Sequence, residues 1–326
     1  IGFGLAFGLI FLRVPIAIAL GIVGFGGFWL INGQTPALSM IAITTTDSTM
    51  SYSLAVVPLF VLMGNLVAGA GISAELYRAA QVFIGHRRGG LAIATIVSCG
   101  GFAAVCGSSI ATAVTMGKVS IPSMRSYGYS DSLSTATVAA GGTLGILIPP
   151  SIIMVIYGIA TETHIGKLFA AGLLPGIIGV IGYSLAVRWV VWRDPKSAPP
   201  AERSTRAERI DAIKRIWTVA ALFLLVLGGI YGGWFTATEA GGIGAAGALG
   251  FALMRRLPMA KLLEIFRDSA QTTAVLFALI IGATVFSEFI NYTGAHVAVL
   301  HLVRDEGLSP TMVMLVIVLV YVLLGC

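Results

Sequence analysis

Apolar runs close to the ~20 residues that a helix needs to cross a bilayer recur along this chain. They cover 1–31, interrupted at Arg13 and Pro15, then 54–71, 168–191, 216–230, 235–253 and 272–290. Lipid offers no partner to a backbone N–H or C=O, so each run must satisfy its own hydrogen bonds as a helix. Only 10% of the 326 residues are charged, against about 25% in soluble domains. The expected fold is therefore an all-α polytopic membrane protein.

Two regions break this scheme. Residues 91–122 hold two apolar arms, "LAIATIVSCGGFAAV" and "IATAVTMGKVSIP", around a polar "CGSS". Arms of ~15 residues or fewer reach only to about the midplane at 1.5 Å per residue, which predicts a re-entrant helical hairpin with a polar tip. The second region, "GGTLGILIPPSIIM" at 141–154, carries Pro149 and Pro150 inside an apolar stretch. Without an N–H, these prolines leave the carbonyls of Gly145 and Ile146 free, and Ile148 is pushed out of the helical region. A broken helix over 132–160 follows, whose second half is expected to begin at the prolines with its positive end facing the break. Irregular backbone at membrane depth requires protein or a polar cavity to receive it. The hairpin tip and the break could receive each other, as in secondary transporters, where free carbonyls ligate cations and half-helix N termini face anions. Glycine-mediated packing with a proline kink is the competing explanation.

The net charge of +6 comes from basic residues gathered in loops, which suits membrane orientation and excludes a nucleic-acid surface. Residues 193–215 hold seven Lys or Arg, and 85–90, 125–131 and 255–261 are also basic; all four are expected on the cytoplasmic side. The order helix, amphipathic segment, hairpin entry occurs twice, from 54 and again from 272, with the side reversed. That pattern is consistent with inverted repeats: a first repeat over 1–192, a cytoplasmic linker over 193–215, and a second repeat over 216–326. The apolar start is expected to be a spanning helix rather than a cleaved signal. The terminal "MVMLVIVLVYVLLGC" is expected to be the first arm of an outer hairpin, cut at its tip.

Candidate residues cluster at the two breaks. Ser108, Ser109 and Thr112 offer hydroxyl oxygens at the hairpin tip, suited to a hard alkali cation or to helix capping. Glu239 is expected to cap the helix that follows Thr236, and Asp47 to cap the one that starts at Leu54. The glycines of "GIGAAG" (Gly242, Gly244, Gly247) match a dinucleotide fingerprint, but with no preceding strand they point to close helix packing. Lys118 is expected to snorkel to the cytoplasmic edge. Cys99, Cys106 and Cys326 are expected as buried small residues, and His86, His164, His296 and His301 form no ligand spacing. No Walker loop, catalytic triad or metal motif is present, so neither an enzyme nor a cofactor is expected.

Four stretches, "PLFVLMGNLVAGAGIS" (58–73), "GSSIATAVTMGKVSIPSMRSYGYS" (107–130), "AAGGTLGILIPPSIIMVIYGIATETHIGKLFAAGLLPG" (139–176) and "TATEA" (236–240), resemble the large membrane subunit (M, DctM-type) of tripartite ATP-independent periplasmic (TRAP) transporters. The resemblance covers nearly the whole chain. It implies an ion-transporter-like fold of inverted repeats, re-entrant hairpins and broken helices in the bacterial inner membrane. It also implies sodium-coupled import, by alternating access, of a carboxylate-bearing solute such as a C4-dicarboxylate or sialic acid. The partners implied are a periplasmic solute-binding protein, a small Q-type membrane subunit and membrane lipid. Carried over to this chain, the sodium ligands fall at Ser108, Ser109, Thr112, Gly142, Thr143, Gly145, Ile146 and Ile148. The solute contacts fall at Ser109, Thr143, Pro149, Pro150 and Ser151. Beyond that terminal arm, the resemblance implies the rest of an outer hairpin, a second broken helix and a last span. The competing function is a channel or structural membrane scaffold without ion coupling.

Overall fold

The computed structural model describes residues 1–325 except Glu306 and Leu308; at 296, 300, 302, 304, 324 and 325 it describes the backbone alone. Cys326 and the side chain of His296 thus lie outside the described residues. Among the described residues fifteen α-helices follow one another: α1 (Gly2–Phe11), α2 (Ile16–Asn32), α3 (Gln34–Met50), α4 (Val56–Gly69), α5 (Ile72–Ile84), α6 (Gly90–Cys106), α7 (Ser109–Ser126), α8 (Asp131–Leu147), α9 (Ile152–Ala160), α10 (Ile165–Arg193), α11 (Arg206–Tyr231), α12 (Ala237–Met254), α13 (Met259–Tyr292), α14 (Ala295–Asp305) and α15 (Pro310–Gly325). No strand occurs among the described residues. The continuous helices α10, α11 and α13, and the broken pair α8–α9, are long and apolar enough to cross a membrane.

Two compact units form, residues 1–50 with those from Ala274 onward, and Ser51–Thr273, so the division falls inside α13. It does not follow the contiguous halves 1–192 and 216–326. In the first unit, α2 and α13 pack with almost no side chain between them: a Cβ on Gly24 would lie 2.7 Å from the backbone of Phe286, and one on Gly282 would overlap the carbonyl of Ala17. Ala6, Val23 and Phe286 form the core there.

In the second unit the innermost helix is α6. Apolar all round, it buries every residue from Gly90 to Cys106 except Ile93, Val97 and Gly101, as expected of a helix with no polar face. Helices α4, α5, α7, α8 and α10 surround it. The α4–α12 contact relies on the glycines of "GIGAAG": a Cβ on Gly244 would meet Met63 Sδ at 2.5 Å. Close packing is therefore their role. Helix α5 is amphipathic and lays Ala79 and Val82 against Ala212 of α11.

Several expectations need correction. Residues 34–50 form α3, a helix missed because its polar "TTTDST" reads as a loop; Thr46 and Thr49 satisfy their hydroxyls by donating to the carbonyls four residues back, at 2.9 and 2.8 Å. Asp47 lies inside that helix and caps nothing; Ser51 Oγ accepts from Leu54 N at 3.4 Å instead. The hairpin arms α6 and α7 run 17 and 18 residues, longer than expected, because α7 continues through Pro122 to Ser126 at the loss of a single backbone bond. Of the 193–215 segment, only 194–205 is non-helical apart from a short 3₁₀ turn; a Thr205–Glu208 capping box starts α11 at Arg206.

The non-helical segment is a strap. Ala198 O accepts from Gly89 N at 3.2 Å, Ser197 O accepts from Ser130 N at 3.0 Å, and Ala201 N donates to Gly85 O at 3.0 Å. Three of the four basic loops thereby meet on one face of the second unit. Trp189, Trp192 and Trp217 stand exposed beside this segment, the amphipathic rings favoured at a membrane–water boundary. The fourth basic loop contributes Arg255, which donates to Ala70 O at 3.0 Å and pairs with Glu75 at 2.6 Å. Lys118 is exposed on α7.

Candidate functional site

The hairpin tip and the unwound loop meet. After α6, Gly107 adopts φ 64°, the left-handed conformation that closes a helix and favours glycine. Its carbonyl turns to accept the N–H of Ile152, the first residue of α9, at 3.3 Å. A Cβ on Gly107 would stand 2.6 Å from Pro150 O, and one on Gly145 would overlap Ser108 O and lie 2.7 Å from Thr112 Oγ1. A Cβ on Gly142 would lie 2.7 Å from that of Ala113. Beneath the tip, a Cβ on Gly64 of α4 would meet Cys106 O at 2.8 Å. Small residues on α4 and α8 thus allow three backbones to converge.

The helix ends at this point have opposite polarity. Helices α6 and α8 end here, presenting carbonyls, and α7 and α9 begin here, presenting N–H groups. Such ends carry about half a unit of negative and positive charge respectively. The carbonyls of Gly145, Ile146 and Leu147 accept no hydrogen bond from the described residues, because Pro149 and Pro150 have no N–H and Ile148 has turned to an extended conformation at ψ 124°. The second half-helix starts at Ile152 and not at the prolines; buried Ser151 is its N-cap and accepts from Met154 N at 3.4 Å. Both prolines lie in the connector, where neither can extend a helix.

Among the candidate residues, Ser108, Ser109, Thr112, Gly142 and Gly145 come together. Ser108 caps α7, accepting from Ala111 N at 3.4 Å, and its carbonyl accepts from Thr112 Oγ1 at 2.7 Å. Thr112 is fully buried, with lone pairs left over on an oxygen that faces α8. Ser109 Oγ has no hydrogen-bond partner among the described residues. Ile146 points its side chain outward and offers only its carbonyl; Ile148 is buried with Pro149, Pro150 and Ser151. Thr143 stands apart from the tip: its hydroxyl donates to Ala140 O at 2.7 Å and is 2.9 Å from the Tyr183 hydroxyl on α10. The contributions of Gly64 and of the Gly107 carbonyl were not read from the sequence, although both residues lie within the family-like motifs.

The base of the hairpin is fixed as firmly as its tip. Tyr129, buried in the α7–α8 turn, accepts the N–H of Leu91 at 3.1 Å, satisfying one of the orphan donors of α6. Burial pushes its phenol up to about 12, so it stays neutral. At α12, Thr236 and Glu239 form the reciprocal cap that was expected.

Buried Cys99 and Cys106 pack in the hairpin arm, with a Cβ on Gly141 falling 2.7 Å from Cys99 Sγ. No group of three His, Cys, Asp or Glu side chains suited to a metal occurs among the described residues.

Comparison with known proteins gives the family. Residues 3–326 match the family model described as "Tripartite ATP-independent periplasmic transporter, DctM component". The chain is 36% identical over 303 residues to the C4-dicarboxylate TRAP transporter large permease protein DctM of Pseudomonas aeruginosa, covering 92% of this chain and 70% of that protein. It is 33% identical over 312 residues to the ectoine TRAP transporter large permease protein TeaC of Halomonas elongata, covering 95% and 73%. It is 31% identical over 281 residues to the sialic acid TRAP transporter large permease protein SiaM of Vibrio cholerae, covering 86% and 65%. These relatives are permeases and not enzymes, and the apolar helices make this a multi-pass membrane protein. The chain belongs to the DctM component family of tripartite ATP-independent periplasmic transporters.

Proposed function

We propose that this permease imports a carboxylate-bearing organic solute across the bacterial inner membrane, coupled to sodium and working by alternating access. A periplasmic solute-binding protein delivers the solute, and a small membrane subunit completes the assembly. The observation that carries this reading is the meeting of four helix ends at the hairpin tip, two presenting free carbonyls and two presenting N–H groups. Carbonyl ends suit a cation, and N-terminal ends suit a carboxylate.

The sodium ligands we propose are the carbonyls of Gly145 and Ile146 with the hydroxyl oxygens of Ser109 and Thr112; Ser108 shapes the tip, and Gly142 admits it. The solute carboxylate is assigned to the N-terminal ends at Ser109 and Ser151. The names of three relatives specify a C4-dicarboxylate, ectoine and sialic acid, each a carboxylate-bearing molecule. We assign 1–192 and 216–326 to inverted repeats, supported by the order α4, α5, α6 and its echo in α13, α14, α15. The segment 193–215, which contains the strap, is assigned to the cytoplasm on its seven Lys or Arg.

The test is uptake by proteoliposomes holding the full chain and the small subunit, with purified binding protein outside. Uptake that requires an inward sodium gradient supports the reading. Solute passage that is indifferent to sodium and never exceeds equilibration identifies a channel.

A further inference from the structure

A second polar feature lies in the first compact unit. Helices α2, α3 and α13 enclose an open cavity of about 450 Å³, whose lining includes Asp47, Glu288, Thr44, Ser48, Phe28 and Tyr292. We infer that this cavity is a binding site for a compact organic ammonium group.

Four observations carry the inference. First, neither carboxylate has an ion-pair partner among the described residues, and α2, α3 and residues 274–292 contain no Lys or Arg. Asp47 is exposed and Glu288 half-buried, so both remain open to a cationic partner. Second, Thr44 and Ser48 are each only 8% exposed, yet neither hydroxyl has a hydrogen-bond partner among the described residues. Thr46 and Thr49 on the same helix bond back to carbonyls, whereas Thr44 and Ser48 line the cavity with theirs free. A ligand that enters the cavity can donate to both. Third, the volume is that of an organic-ligand pocket, commonly ~300–1,000 Å³. A bare hard cation instead needs oxygens on all sides at roughly 2.3–2.6 Å. Fourth, Phe28 and Tyr292 stack edge to face on the wall, with centroids 4.7 Å apart, and aromatic rings favour ammonium groups. The two carboxylates repel an anionic solute, so this site is distinct from the one proposed at the hairpin.

A free amine and a lipid headgroup share this chemistry, and one experiment separates them. The full chain is melted at constant ionic strength with ethanolamine, with choline, or in phosphatidylethanolamine nanodiscs, against sodium chloride and phosphatidylglycerol as references. Saturable stabilisation by the free amines assigns a soluble ligand; stabilisation by phosphatidylethanolamine alone assigns a headgroup. In either case Asp47→Asn and Glu288→Gln weaken the apparent affinity by roughly tenfold or more, the loss expected when a charge-assisted hydrogen bond disappears. Ser48→Ala, a milder change, weakens it by about threefold. The inference is overturned if no amine acts beyond sodium chloride, or if both carboxylate variants respond as the parent does. Should those variants fail to fold, an unchanged affinity in both Ser48→Ala and Thr44→Val overturns it equally.

Discussion

Gly145→Ala sets two effects of known sign against each other. Gly145 is helical, two residues before α8 ends, so alanine there gains about 0.8–1 kcal/mol of helix propensity. The new Cβ, however, would overlap Ser108 O and lie 2.7 Å from Thr112 Oγ1. These are a fixed backbone atom and a buried side chain, not the end of a flexible one. Overpacking of this kind costs about 1–3 kcal/mol, so the tip withdraws from α8 at a net cost of roughly 0–2 kcal/mol. At 1.4 kcal/mol per tenfold, sodium affinity falls by up to about 30-fold, while the fold gains rather than loses local helix stability. The assay is thermal melting of the full chain across a sodium titration. Gly182→Ala on α10 is the control, since a Cβ there meets nothing within 4 Å; it should leave the sodium dependence unchanged. A Gly145→Ala variant that melts normally and keeps the parent's sodium titration would refute the assignment of the tip–loop contact to the ion.

Other outcomes follow from the same geometry. Ser109→Ala should shift the sodium activation curve of uptake without altering stability, whereas Ser108→Ala should also lower stability by about 1 kcal/mol, since it removes the α7 cap; identical behaviour of the two would contradict the division of roles. In Pro149→Ala/Pro150→Ala the new N–H groups can bond Gly145 and Ile146, so the protein should fold with a diminished sodium-induced shift in melting. A lower melting temperature with the full shift retained would favour a simple kink. Tyr129→Phe should cost about 1 kcal/mol by stranding the Leu91 N–H, read from denaturation, with sodium affinity retained. A cysteine at exposed Glu202 should resist a membrane-impermeant thiol reagent added from the periplasm, and ready labelling would invert the topology; Ser197 is unsuitable because its side chain is buried within the strap.

What the sequence disclosed depended on whether a side chain carried the signal. Proline chemistry announced the break at 148–151, and a polar "CGSS" between apolar arms announced the hairpin. The Thr236–Glu239 cap was equally legible from its spacing, and the Thr205–Glu208 cap had the same spacing and could have been read. Helix α3 was missed because its "TTTDST" is a polar stretch that looks like a loop, although Thr46 and Thr49 bond back into the helix. The strap was invisible for a different reason: Gly85, Gly89, Ser130, Ser197, Ala198 and Ala201 join through backbone atoms alone, and backbone bonds impose no residue type. The start of α9 was misplaced by one cap, since Ser151 competes with the prolines for that role and only the chain direction after Ile148 decides. Thr143 was grouped with the tip by the family resemblance, yet a helix turns 100° per residue, and that rotation directs its hydroxyl to Tyr183.

Solute accumulation under an imposed sodium gradient tests the central claim most directly. Proteoliposomes carrying the full chain and the small subunit, supplied with binding protein and its solute, are given an inward sodium gradient at zero membrane potential. The internal solute concentration is then followed beyond equilibration. If sodium and solute share the site between the hairpin and the unwound helix, solute rises above the external concentration and collapses when the gradient is dissipated. Entry that stops at equal concentrations on both sides, with or without sodium, would contradict the account.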